Sequence, residues 1–220
     1  MTAVRPVLSM DKLERIGASA GGTHRSFPET IQPLEEHDRP AVVAHFIALP
    51  ADDRRLRFGA TLADRAVVEY VDGIDFERDT LLGLREQGNP SLIGVAHVAF
   101  GDTDAELGIS VLPEYRGHGA GTALFCRAVK HARERGVSRV FMHCLAENAA
   151  MMHIARRSGM KIVVAWGDAD AHLALSPGVT APTTQEALVE AIALYDAALK
   201  ASVAKVRRRS LSTQRAEEII

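Results

Sequence analysis

The sequence predicts an α/β protein of the α+β kind, with a central mixed, mainly antiparallel sheet flanked by helices and followed by a long C-terminal helix. Three observations predict it. Three apolar runs succeed one another between turn sequences in residues 80–112, which reads as an antiparallel meander. Helical and extended periods then follow through residue 175 in the order helix, strand, helix, strand, strand. With 220 residues, 47% apolar and 25% charged, the chain can bury one substantial core.

Residues 1–26 read as a tail, because Gly17-Ala18-Ser19-Ala20-Gly21-Gly22-Thr23 is linker chemistry without an apolar face. The domain proper spans 27–177. Asp38 is placed to cap a helix that starts at Arg39-Pro40, where proline is tolerated, and that ends before Pro50. A second helix fits 62–71, with Ala66, Val67 and Tyr70 at helical spacing. Strands fit 80–84, 91–100 and 106–112, divided by Gln87-Gly88-Asn89-Pro90 and Gly101-Asp102-Thr103-Asp104. A helix over 121–135 stops at Gly136, a strand fits 140–145, and a helix over 148–158 closes at Gly159. Residues 161–166 and 172–175 supply the last strands. The segment 178–220 holds a Pro/Thr-rich link, a helix over 184–206 and a tail. Leu188, Ile192, Tyr195, Leu199, Val203 and Val206 form one apolar stripe on that helix, suited to packing on the domain or to joining two copies as a homodimer.

Charge and cysteine usage exclude several classes. Lys+Arg at 26 against Asp+Glu at 28 leaves a net charge of −2, which is not the concentrated cationic footprint that nucleic acid requires. Lys205-Val206-Arg207-Arg208-Arg209 reads as the solvated cationic end of a helix. Two cysteines, Cys126 and Cys144, read as reduced core thiols and build neither a disulfide framework nor a four-thiolate site. No His, Cys and acid set has metal spacing. No export segment or membrane span is visible, so a cytoplasmic protein without a membrane partner is expected.

The stretch 105–122, AELGISVLPEYRGHGAGT, carries the chemistry. A strand breaks at Pro113, and Arg116-Gly117-His118-Gly119-Ala120-Gly121 feeds directly into a helix. Glycines admit an anion close to backbone N–H groups, and the helix start adds unpaired donors and partial positive charge. This is a pyrophosphate cradle. A nucleotide-triphosphate loop needs Gly-Lys-Ser/Thr, whereas Gly121 precedes Thr122 and Ala123. The dinucleotide pattern needs a glycine where Thr122 stands and a leading strand–helix–strand unit.

The loop resembles the acetyl-CoA loop of the GNAT superfamily of N-acetyltransferases, Arg/Gln-x-x-Gly-x-Gly/Ala, with Arg116, Gly119 and Gly121 in register. The element order is similar to that family's over 27–176, and its Asn and Gly eleven residues apart match Asn148 and Gly159. A finer likeness to the acetyltransferase domain of bacterial Pat-type protein-lysine acetyltransferases lies in Ala48-Leu-Pro-Ala-Asp-Asp-Arg-Arg-Leu-Arg-Phe58 and Gly73-Ile-Asp-Phe-Glu-Arg-Asp79. The resemblance implies transfer of acetyl from acetyl-CoA to a primary amine, on a protein lysine or a small molecule, by direct attack and without a metal. It implies that Ile109, Ser110 and Val111 bind the pantetheine arm through the main chain. Arg116, Gly117, His118, Gly119, Ala120, Gly121 and Thr122 then hold the pyrophosphate, and Asn148 contacts the coenzyme.

A lysine amine with pKa about 10.4 is neutral only to roughly 0.04% at pH 7, so a proton acceptor near the cleft is useful. Glu106 is the candidate base. It shares a strand face with Gly108 and Ser110, two small residues, and aligns with the Ala-Glu pair of Pat-type enzymes; the opposing reading is a solvated strand start, and Glu114 is the alternative base. Where many GNAT enzymes carry a tyrosine acid this chain has Ala155. A thiol near pKa 8.5 can leave unprotonated at a cost of about 2 kcal/mol, but the acid's role stays unassigned. That leaves a second reading open, a non-catalytic acyl-CoA-binding sensor. His143 reads as a core histidine, and His153, Met151 and Met152 as packing residues. Arg55 and Arg57 are either substrate contacts or helix-surface charges.

Overall fold

The alternation in residues 80–112 folds as a meander. A computed structural model of the chain, describing residues 31–86 and 90–175, has β2 (Thr80–Arg85), β3 (Leu92–Phe100) and β4 (Asp104–Val111) as consecutive antiparallel neighbours. The expectations for the N-terminal tail, for 176–177 and for the segment 178–220 with its long helix lie outside the described residues. β1 (Ile31–Leu34) adds to β2 as an antiparallel edge strand. Pro33 is tolerated there because an edge strand has one side without a ladder.

A short 3₁₀ turn (Glu36–Asp38) leads into α1 (Arg39–Ala48). Asp38 does not cap α1. Its carboxylate turns back to accept from the Glu35 N–H at 3.0 Å and from Arg85 at 2.8 Å, so it closes the 3₁₀ turn and ties it to β2. An unforeseen helix, α2 (Ala51–Phe58), follows Pro50 and stops at Gly59 with φ 77°; α3 is Asp64–Asp72.

Beyond β4 come α4 (Ala120–Glu134), β5 (Arg139–Leu145), α5 (Ala149–Arg157), β6 (Lys161–Ala165) and β7 (Asp168–Ala174). β7 starts four residues earlier than the sequence predicts. The reason is a tight hairpin at Trp166 and Gly167, both left-handed (φ 55° and 94°), which lets β7 pair with β6 immediately. The sheet order is β1-β2-β3-β4-β5-β7-β6, antiparallel throughout except for β4 beside β5.

Both faces of the sheet are covered. α4 and α5 pack Leu124, Phe125, Val129 and Ile154 on one side, against Leu82, Ile93, Leu107 and Met142. α1 and α3 pack Val42, Phe46, Val67 and Val71 on the other, against Leu81 and Val95. Covering on both sides explains why β2 and β3 read as near-continuous apolar runs. No helix among the described residues is long and apolar enough to cross a membrane.

Candidate active site

The single parallel contact creates the site. β4 and β5 pair only at Asp104↔Arg139, Ala105↔Val140 and Glu106↔Phe141. Beyond Glu106 the strands part, while β4 stays on β3 through Val111 and β5 stays on β7 through Leu145. An inner strand presents main-chain groups to both sides, so residues 107–111 turn part of theirs into this wedge without a strand partner.

At the wide end of the wedge the chain turns through Pro113–Tyr115 and enters the glycine loop. Gly117 and Gly119 are left-handed (φ 78° and 87°), a conformation that strains any side chain. Gly119 is also the N-cap of α4, where no side chain supplies a capping bond and no acid occupies the first turn. The helix start therefore keeps its donors and partial positive charge, as an anion cradle requires. Arg116 is fixed beside it. Its Nε–H donates to the Val111 carbonyl at 2.9 Å, and its two Nη groups grip Asp53 of α2 at 2.9 and 2.8 Å.

A cavity of about 450 Å³ runs from this loop into the wedge. Ile109, Ser110, Val111, Arg116, Gly117, Gly119, Ala120, Gly121, Thr122 and Asn148 all line it. His118 is exposed and is not among its lining residues. Glu106 is absent from this cavity too, but lines a second one of about 460 Å³ on the other side of the wedge. Leu56, Arg57, Ile109, Asn148 and Met151 border both cavities, so the two meet at the point where the strands part.

The second cavity is framed by a polar chain whose proton positions follow from chemistry. Asp79 can only accept, so His97 Nε2–H donates to it at 3.1 Å, and His97 Nδ1 accepts the Tyr70 hydroxyl proton at 2.8 Å. The Tyr70 oxygen in turn accepts from Arg57 Nη2 at 3.1 Å. Burial holds the His97 pKa down against the opposing pull of the Asp79 hydrogen bond, so the ring is neutral near pH 7. Across the cavity His143 is exposed rather than a core residue. Its Nδ1–H donates to Asp170 at 2.8 Å, and this hydrogen bond raises its pKa.

Ser110 rests on a buried histidine. His45 of α1 is 2% exposed, donates from Nδ1 to the Leu92 carbonyl at 2.9 Å and accepts the Ser110 hydroxyl at Nε2 at 2.8 Å. Desolvation is the main reason its pKa falls to about 4. Asn148 has a structural task of its own: Oδ1 caps α5 at the Met151 N–H (3.1 Å) and Nδ2 donates to the Leu56 carbonyl (3.3 Å), joining α5 to α2. Ala155 is 1% exposed in the core, while His153, expected to pack, is exposed on α5 and lines the first cavity. Arg55 is a surface charge paired with Glu147 at 2.5 Å; Arg57 faces the cavities.

The sequence reading missed α2 as a helix, and with it the wall that carries Asp53, Leu56 and Arg57. The signals were present: Pro50 before the start, Asp52 and Asp53 in the first turn, Gly59 at the stop. Tyr70, His97, Asp79 and His45 left no comparable trace, because they come from separate elements.

Residues 30–161, more than half of the chain, match the family model described as an acetyltransferase (GNAT) domain, and the chain belongs to that family. No curated protein sequence matches it. Among solved structures it is similar to the GNAT domain of S. lividans PAT, at 21% identity and a TM-score of 0.56, covering 66% of this chain and 89% of that one. Ribosomal-protein-alanine N-acetyltransferase from Brucella melitensis gives 20% identity and a TM-score of 0.51, covering 66% of this chain and 99% of the other. The paia N-acetyltransferase from Thermoplasma acidophilum, in complex with coenzyme A, gives 15%, 0.51, 66% and 97%. At these identities the likeness is one of fold.

Proposed function

We propose that the chain transfers an acetyl group from acetyl-CoA to a primary amine by direct attack, the coenzyme in the first cavity and the amine in the second. One observation carries this reading: a cavity headed by an uncapped helix start meets, at the splay of β4 and β5, a second cavity that holds a carboxylate. Main-chain groups of residues 107–111 would pair with the pantetheine arm as a strand would. The α4 start, Gly117 and Gly119 would take the pyrophosphate through backbone N–H groups. Arg116 is already paired with Asp53, so its part is to hold the loop against α2 as much as to add charge. Glu106 takes a proton from the incoming ammonium, directly or through water. The amine nitrogen then bonds to the acetyl carbon as the carbon–sulfur bond breaks, the thiolate leaves, and the surplus proton on the acylated nitrogen passes to that thiolate or to water. Ala155 offers no acid, and the low basicity of a thiolate makes one dispensable. The cytoplasm is the compartment that suits cysteines left out of disulfides, as Cys126 and Cys144 are.

The test separates an enzyme from an acyl-CoA sensor. Calorimetry with CoA and turnover with labelled acetyl-CoA are measured for the wild type and for Glu106→Gln. An enzyme of this design loses about 10²–10⁴-fold in turnover with CoA affinity nearly intact. Absent CoA binding sinks the proposal, and CoA binding without turnover of any amine in the wild type favours the sensor.

A further inference from the structure

We infer that the acceptor is a small amine carrying a carboxylate, held by Arg57 while Glu106 faces its nitrogen; this rests on the acetyltransferase reading above. Arg57 differs from the arginines around it. On the same helix Arg54 pairs with Asp64 at 2.6 Å and Arg55 with Glu147 at 2.5 Å, and Arg116 is gripped by Asp53. Among the described residues Arg57 has no carboxylate partner. Its Nη2 donates to the neutral Tyr70 oxygen, and among the described residues its buried Nε has no hydrogen-bond partner and Nη1 makes no hydrogen bond. A guanidinium removed from bulk water and left without an anion is costly, and the cost is recovered when an anion arrives.

The surroundings hold this cation in place as a ligand group. It stacks over Phe58 at 4.9 Å from the ring centre, with Phe46 and Tyr70 at 5.6 and 5.8 Å, so its plane is fixed. It lies against Gly108, where a Cβ would come within 2.5 Å of Cζ; the strand is cut down to glycine where the guanidinium rests. The Tyr70–His97–Asp79 chain fixes the Tyr70 proton toward His97, which turns the oxygen toward Arg57 and leaves Nη1 for another acceptor. Arg57 borders both cavities, next to where the acetyl carbon must sit.

Glu106 completes the match. It lies two residues along β4 from Gly108 on the same face, a displacement of about 7 Å, and it lines the cavity into which Arg57 points. A cation resting on Gly108 and a carboxylate two strand positions away along β4, both lining one cavity of about 460 Å³, complement an amine and a carboxylate separated by a few bonds. Free amino acids and related amino-carboxylates have this form. A lysine side chain on a basic peptide does not.

The experiment compares α-, β- and γ-amino acids with their own carboxamides, at fixed acetyl-CoA, in the wild type, Arg57→Gln and Arg57→Lys. In parallel, β-alanine and β-alaninamide are titrated calorimetrically into the CoA-loaded protein. The wild type is expected to favour a carboxylate over its carboxamide by about 10–100-fold, the range for hydrogen bonds to a charged group. Arg57→Gln should reduce that ratio to a few-fold, mostly through KM, and Arg57→Lys should retain part of it. The ratio within the wild type needs no variant, so the test survives if Arg57→Gln folds poorly. Equal use of carboxylate and carboxamide, or an equal loss of both in Arg57→Gln, overturns the inference while leaving the acetyltransferase reading intact. Carboxylate-dependent binding through Arg57 without turnover does the reverse.

Discussion

Protonation of His45 should cost the folded state a calculable amount, because this ring is buried and neutral beneath Ser110. Its folded pKa is about 4, against about 6.5 for an ordinary histidine, and desolvation is the leading cause. A folded pKa below the unfolded one means the unfolded chain binds the proton more readily between these limits. Stability is therefore complete above about pH 6.5 and is lost as pH falls toward 4, after which this group contributes no further change. From about pH 7 to about pH 5 the linkage relation gives a loss of about 2 kcal/mol from this ring alone. Protonation also reverses the hydrogen bond to Ser110, since Nε2 can no longer accept and must donate to the hydroxyl oxygen. The assay is urea unfolding of the wild type and of His45→Gln at both pH values. Glutamine keeps a donor and an acceptor but does not titrate, and all other titrations are common to both proteins and cancel in the difference. The wild type should lose about 2 kcal/mol more than the variant. Parallel losses would refute the assignment of a buried neutral ring.

Two further outcomes follow from backbone geometry. Trp166→Asn should raise stability by about 1 kcal/mol in thermal unfolding, because a non-glycine residue at φ 55° is strained, asparagine tolerates that region, and the fully exposed indole gives up no packing; a lower melting point would contradict this. Gly119→Ala should weaken CoA binding in calorimetry by about 1–2 kcal/mol, since φ 87° at the α4 N-cap strains a Cβ and shifts the first-turn donors; unchanged affinity would show that the loop is not the cradle.

Much of this architecture was legible because local signals and tertiary context agreed. Turn sequences at residues 87–90 and 101–104 fixed the meander, Gly136 and Gly159 stopped the helices, and Arg116, Gly119 and Gly121 marked the loop. Elsewhere context overrode the signal. α2 has no buried residue and three arginines, so it lacks the apolar stripe by which helices are recognised, and its role as a cavity wall depends on Asp53 and Leu56 meeting distant partners. Pro33 concealed β1, which exists because an edge needs no second ladder. His143 sits in a run, Val140 to Leu145, that reads as fully buried. The splay of β4 from β5 opens one face of that strand to the cavity and exposes the histidine. The Tyr70–His97–Asp79 chain joins α3, β3 and the segment before β2 across 27 and 18 positions, a separation that no local period encodes.

The nucleophiles near the seam bear on whether acetyl passes directly to the amine or first to the protein. Cys144 borders the second cavity, but burial, and after it Asp170 and Asp168, raise its pKa, so it stays a thiol near pH 7 and a weak nucleophile. Ser110 and His45 have the spacing of an activated hydroxyl and its base, with the Leu92 carbonyl orienting the ring. Yet a base held near pKa 4 gains little by taking a proton from a hydroxyl, and the imidazolium it would become is what the buried site disfavours. A pKa of about 4 in place of the ordinary histidine value of about 6.5 removes about 3 kcal/mol of driving force from that proton transfer. Glu106, by contrast, is exposed and lines the second cavity. The same desolvation that makes His45 a good support for β4 makes it a poor base for the Ser110 hydroxyl, which weakens the case for an acetyl-serine step at this seam.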